Sequence, residues 1–140
     1  MAKIILSQEA MNYISIFGRI TKVSAKDCII LDNKLIFVVN DINLGKAIGK
    51  QASNIKMLEK VLKKGVKIIG YNRDLSRFIK NLVYPNKAKD ILINDKTVTI
   101  VPADRKTRGY MIGKGASTLR FYESIVKKYF DIEEIKVAGV

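Results

Sequence analysis

Ile48-Gly49-Lys50-Gln51-Ala52-Ser53-Asn54-Ile55 recurs 64 positions on as Ile112-Gly113-Lys114-Gly115-Ala116-Ser117-Thr118-Leu119, so the chain is a duplication. In each copy a glycine closes a short apolar segment, a lysine follows, and an apolar-periodic helix opens a few residues later. The pattern predicts a tight helix-loop-helix corner. Gly49 and Gly113 lack Cβ, so the backbone there can turn sharply and another molecule can approach it closely. A helix that begins at such a corner presents amide groups without intrahelical partners and the positive end of its dipole, which suits a phosphate. Lys50 and Lys114 add a formal charge at the same spot. Glycine turn, helix start and lysine together make an anion clamp.

Working outward, the flanking sequence repeats too. Ser7 can cap a helix with Ala10, Met11, Ile14 and Phe17 on one face, ending near Gly18. Residues 21–26 form a polar connector. The apolar runs 28–31 and 35–39, parted by Asp32-Asn33-Lys34, predict a hairpin. A short segment, 44–48, leads to the corner. Beyond it Ile55, Leu58, Val61 and Leu62 share a face while Lys56, Glu59, Lys60, Lys63 and Lys64 fill the others, which predicts an amphipathic helix stopped at Gly65. Residues 66–71 are a third strand.

The second copy follows the same order. Asp74 caps a helix with Leu75, Phe78, Ile79, Leu82 and Val83 inward, ended by Pro85. Runs 90–93 and 97–101 pair around Asn94-Asp95-Lys96, a loop covers 102–108, and a short segment, 109–112, meets the second corner. A helix with Leu119, Tyr122, Ile125, Val126 and Tyr129 inward and a strand over 135–138 close the chain. Ser53 and Ser117 are the natural N-caps of the helices after the corners. The reading is an α/β (α+β) chain of two domains, residues 1–72 and 73–140, each a three-stranded mixed sheet with helices on one face. Only Asn72-Arg73 connect them, which predicts two rigidly coupled domains presenting one continuous basic groove. Each domain is small enough to be marginal by itself.

Composition narrows the partners. The chain of 140 residues carries 26 Lys and Arg against 13 Asp and Glu, a net charge of +13, with 48% hydrophobic residues. A basic chain with enough apolar content to fold suits a polyanion, although a lysine-rich solvated surface gives the same balance. There is no histidine, which excludes histidine-based catalysis and His-containing metal sites. The single cysteine, Cys28, excludes an internal disulfide and sits in an apolar run as a small core residue. No apolar run approaches the roughly 18 residues of a membrane span, and residues 1–6 are too short for a signal peptide, so a cytoplasmic protein without membrane contact is expected.

At the corners the chain resembles the KH domain, an RNA-binding module whose G-x-x-G loop clamps the backbone of a single strand. The order of elements resembles the type II KH fold. With Asp27-Cys28-Ile29-Ile30, Leu35-Ile36-Phe37-Val38-Val39, Phe78-Ile79-Lys80-Asn81-Leu82 and Tyr129-Phe130-Asp131-Ile132, residues 4–137 resemble the archaeal NusA-like transcription factors. Ala52 and Ala116 depart from the pattern, standing where a fourth-position glycine is usual. If that position needs a positive φ, alanine costs about 1 to 2 kcal/mol; if it already belongs to the following helix, alanine is harmless.

The resemblance implies single-stranded RNA as partner, the nascent transcript in elongation, termination or antitermination, with RNA polymerase as a further partner. It implies no catalytic activity and no cofactor. The RNA-binding residues it carries over are Lys46, Ile48, Gly49, Lys50, Gln51, Ala52 and Lys56 in the first copy. In the second they are Arg108, Tyr110, Ile112, Gly113, Lys114, Gly115, Ala116 and Arg120. Tyr110 could stack on a base, against the simpler reading of an aromatic in a core; Ile48, Ile55, Ile112 and Leu119 are mainly structural.

Three competitors share parts of the pattern. A KH protein of ribosome assembly or RNA processing would use the same chemistry. A scaffold with degenerate loops would dock its basic surface on acidic protein. An NTPase is suggested by Gly45-Lys46-Ala47-Ile48-Gly49-Lys50, but one residue is missing between the glycines and Gln51 replaces the magnesium-binding Ser or Thr of a P-loop.

Overall fold

The computed structural model describes residues 6–139, so most of the stretch 1–6 weighed as a leader lies outside the described residues. The chain divides into two compact units that meet between Asn72 and Arg73. Each repeats one plan: helix, antiparallel hairpin, helix, corner, helix, and a last strand parallel to the second.

In the first unit α1 (Gln8–Thr21) is capped by Ser7, whose side chain accepts from the Ala10 amide. β1 (Asp27–Ile30) pairs antiparallel with β2 (Lys34–Asn40), and β2 pairs parallel with β3 (Gly65–Tyr71). The strand order is β1-β2-β3. Alternation on β2 sends Leu35, Phe37 and Val39 to one face, where they join Cys28, Val66 and Ile68. Ala10 and Phe17 of α1, Ala47 of α2 (Leu44–Ile48) and Leu58 of α3 (Ser53–Leu62) complete that core, so all three helices lie on one side of the sheet. The rings of Phe17 and Phe37 stack with centroids 4.4 Å apart.

The second unit is built from α4 (Leu75–Val83), β4 (Ala88–Asn94), β5 (Thr97–Pro102), α5 (Arg105–Ile112), α6 (Ser117–Lys127) and β6 (Glu134–Val137). Its sheet runs β4-β5-β6, antiparallel then parallel. Phe78, Ile79, Leu82 and Val83 of α4 are buried, and Phe78 meets the rings of Tyr129 and Phe130, each at 5.6 Å. Tyr129 is buried as expected, but it lies past the end of α6.

Element ends depart from expectation where backbone hydrogen bonding overrides residue preference. Gly18 does not end α1; Lys22 does, in the left-handed conformation, with its amide donating to Gly18 O. Lys63 ends α3 in the same way, and Gly65 instead opens β3, its amide donating to Asn33 O. Met11 and Val61, both expected inward, are half exposed, because each lies at the rim of its helix's apolar stripe. The expected loop 102–108 is mostly helix. Asp104 caps α5 by accepting from the Thr107 amide at 2.7 Å, so the helix starts at Arg105 and runs unbroken to the corner.

Candidate nucleic-acid interface

Each corner is a short helix, a single 3-10 turn and a long helix. Gly49 ends α2 at φ 80°, ψ 166°, and Gly113 ends α5 at φ 72°, ψ 177°. This region of backbone space is essentially open to glycine alone. The glycines also answer to crowding. A Cβ on Gly49 would come 2.7 Å from Ser53 Oγ and 3.0 Å from the Asn54 amide nitrogen; one on Gly113 would come 2.8 Å from Thr118 Cβ. The space a Cβ would take beside these glycines is filled by the first turn of the helix that follows, while both glycines stay half-exposed.

The next residues continue in the left-handed region. Gln51 has φ 55° and Ala52 φ 60°; Gly115 has φ 61° and Ala116 φ 64°. The fourth position therefore does need a positive φ, and alanine there carries the strain rather than sitting harmlessly inside a helix. Helical geometry begins only at Ser53 and Ser117, so Ala52 and Ala116, not the serines, are the N-cap residues, and neither makes a side-chain cap bond. The turn also consumes amides expected to face a ligand. Ala52 N donates to Gly49 O at 3.1 Å and Ser53 N to Lys50 O, with Ala116 N and Ser117 N bonded likewise to Gly113 O and Lys114 O. Positive charge at the tip thus rests on Lys50 and Lys114, both exposed.

Around the first corner Lys46, Lys50, Gln51 and Lys56 are exposed. Ile48 and Ile55 are partly buried against the unit's core. Asn54 was not singled out in the sequence: its side-chain amide donates to Lys46 O at 3.1 Å and braces α3 against α2. Only its equivalence to Thr118, which crowds Gly113 in the second corner, hinted at it.

The second corner brings Tyr110 and Lys114 to an exposed surface, with Ile112 half-buried behind them. Tyr110 is 57% exposed, so the core reading of this aromatic falls. Arg108 and Arg120 are engaged within the unit. Arg108 Nε donates to Ala138 O at 3.0 Å, tying α5 to the chain after β6. Arg120 pairs with Glu123 at 3.0 Å, and Glu123 also accepts from the Ile135 amide at 2.9 Å and faces Lys127 at 3.8 Å. The first unit has the same device: Glu59 accepts from the Val66 amide at 3.0 Å. These glutamates pin the long helix to the last strand, a role sequence spacing signalled only through their recurrence.

Among the described residues no group of three or more His, Cys, Asp or Glu side chains is placed to hold a metal ion, and no helix is long and apolar enough to cross a membrane.

A helix and hairpin followed by helix, glycine corner, helix and parallel strand, built twice, define a protein of the KH class, and residues 12–73 match the KH domain family. The chain is 31% identical over 140 residues to the probable transcription termination protein NusA of Methanocaldococcus jannaschii, covering 98% of this chain and 76% of that one. The protein of the same name from Methanococcus vannielii is 31% identical, with 98% and 81% covered, and that from Thermoplasma acidophilum 25% identical, with 98% and 97% covered. The crystal structure of APE1850 superposes with a TM-score of 0.75 at 31% identity, over 95% of this chain and all of that one. The chain belongs to the NusA family of transcription termination proteins, which are transcription factors and not enzymes.

Proposed function

We propose that this chain grips single-stranded RNA with both corners, one in each of two KH domains, residues 1–72 and 73–140, and does so on the nascent transcript during elongation, termination or antitermination. The observation that carries the reading is the recurrence of one backbone turn with an exposed lysine at its tip, Lys50 and Lys114, although the turn needs no charge for its shape. Lys46 and Lys56 extend the positive surface of the first corner, and Tyr110 adds a ring beside the second. Gly49, Ala52, Gly113, Gly115 and Ala116 shape the loops. Ile48 and Ile112 supply apolar floor. Arg108 and Arg120 reach the strand only at the cost of bonds they already make. RNA polymerase is the further partner of this reading.

The test is titration of a labelled, unstructured RNA of roughly a dozen nucleotides with the protein and with a Lys50→Asp plus Lys114→Asp variant. Tight binding that the variant loses while its circular dichroism is unchanged supports the clamps. Each single charge loss should also flatten the dependence of log affinity on log salt by about 0.7. Equal binding by the variant, or none by the parent protein at low salt, removes the corners from function.

A further inference from the structure

Aligned by the duplication, the two corners differ most in the helix that enters them. Tyr110 of α5 stands where α2 has Lys46, three residues before the corner glycine in both. Tyr110 is 57% exposed on the helix that leads to the exposed Lys114, with Arg105 and Lys106 exposed on the same helix. Gly109 precedes it, and a Cβ there would meet nothing within 4 Å. Neither crowding nor a positive φ asks for glycine at that place, and glycine weakens a helix interior. Its effect is to leave the helix surface bare at the position before the tyrosine. Gly45 does the same beside Lys46.

Resting on the RNA-binding reading above, we propose that the two corners divide the work: the first holds the RNA by its lysines without an aromatic platform, and the second holds a base on the face of Tyr110, with purines preferred. A flat exposed ring accepts a base face, whereas an ammonium at the same place offers charge and donors but no face to stack on. Stacking on an aromatic tolerates any base but scales with ring overlap, which favours the larger purines. The Tyr110 ring is carried by a short helix held at its start, where Asp104 caps it, and at its middle, where Arg108 is bonded to Ala138 O.

The experiment compares a uridine dodecamer with the same strand carrying four adenosines, bound by the whole chain and by Tyr110→Phe, Tyr110→Ala and Tyr110→Lys. The protein should prefer the adenosine strand. Tyr110→Phe should keep that preference, while Tyr110→Ala should lose about tenfold in affinity for the adenosine strand and most of the preference. Tyr110→Lys should likewise lose the preference and steepen the salt dependence by about 0.7, becoming a second corner without an aromatic platform. The chain has no tryptophan, so quenching of tyrosine emission that is present in the parent and diminished in Tyr110→Phe reports the stack directly. Unchanged affinity and preference in Tyr110→Ala and Tyr110→Lys, with RNA binding still lost in the Lys50→Asp plus Lys114→Asp variant, overturns the division and leaves the clamps standing. Failure of the parent protein to bind either strand overturns both.

Discussion

The first corner turns through Gly-Lys-Gln-Ala and the second through Gly-Lys-Gly-Ala, yet their backbones follow nearly the same path. What differs is where the strain lies. Both first positions sit in a region closed to any Cβ, and both remain glycine. The third and fourth positions are left-handed helical, a region an L-residue can enter for about 1 to 2 kcal/mol. The first corner puts side chains at both of them, Gln51 and Ala52; the second puts one, Ala116. The pair of loops therefore separates a position that steric exclusion makes obligatory from positions where glycine is only an economy.

The sharpest way to break this comparison is Gly113→Ala. The added Cβ meets Thr118 Cβ and the Thr118 amide in a glycine-only conformation, so the second unit should lose about 3 kcal/mol in denaturant unfolding. Gly49→Ala should cost less, since its nearest obstacle, Ser53 Oγ, can rotate away. Equal and negligible losses would mean that the corners relax freely. Next in size is Glu123→Ala, which removes a charged acceptor from the Ile135 amide and should destabilise the second unit by about 2 kcal/mol. Glu59→Ala should cost less, because β3 has seven residues of ladder where β6 has four, and hydrogen exchange in the two strands would rank them.

Exchanging the third positions tests the strain itself. Gln51→Gly should stabilise by about 1 kcal/mol, the relief of left-handed strain being partly offset by a freer unfolded chain, and Gly115→Gln should destabilise by a similar amount. Thermal midpoints moving in the same direction for both would refute it. The smallest effect is on pH. The Thr107 amide, with its side chain and Lys106 assisting, holds the Asp104 carboxyl below the ordinary carboxylate range. A depressed folded value means that the cap's contribution is complete above the unfolded carboxylate range and is lost as pH falls through the folded one. The Thr107 amide should therefore become exchange-labile on acidification below the ordinary range, while α2, which has no side-chain cap bond, should show no such step. A Thr107 amide that titrates with an ordinary aspartate would contradict the capping geometry.

Much of this was legible in the chain because it rests on local rules repeated twice. The hairpins around Asp32-Asn33-Lys34 and Asn94-Asp95-Lys96, the caps Ser7 and Asp74, and the inward faces of α4 and α6 follow from short-range patterns, and the duplication allowed each to be checked against its copy. Less was legible where two local signals competed. Gly18 and Gly65 are common helix stoppers, but the chain turned left-handed at Lys22 and Lys63 instead, because those amides close back on the last helical turn. Asp104 reads as loop in the sequence, yet it caps α5 by accepting from the amide of Thr107 three residues on.

By itself the sequence determined the two-unit plan, the order of elements, the positions of both corners and their positive charge, since periodicity, turn chemistry and composition act over a few residues. Only the tertiary structure decided that Ala52 and Ala116 are left-handed, that the corner consumes the amides of Ala52 and Ser53, and that Tyr110 is exposed. It also decided that Arg108 and Arg120 are held by Ala138 and Glu123. Dihedral angles at a turn are settled by how tightly the next helix packs onto the last, and the availability of a side chain by which neighbours reach it first. Both depend on residues brought together by folding.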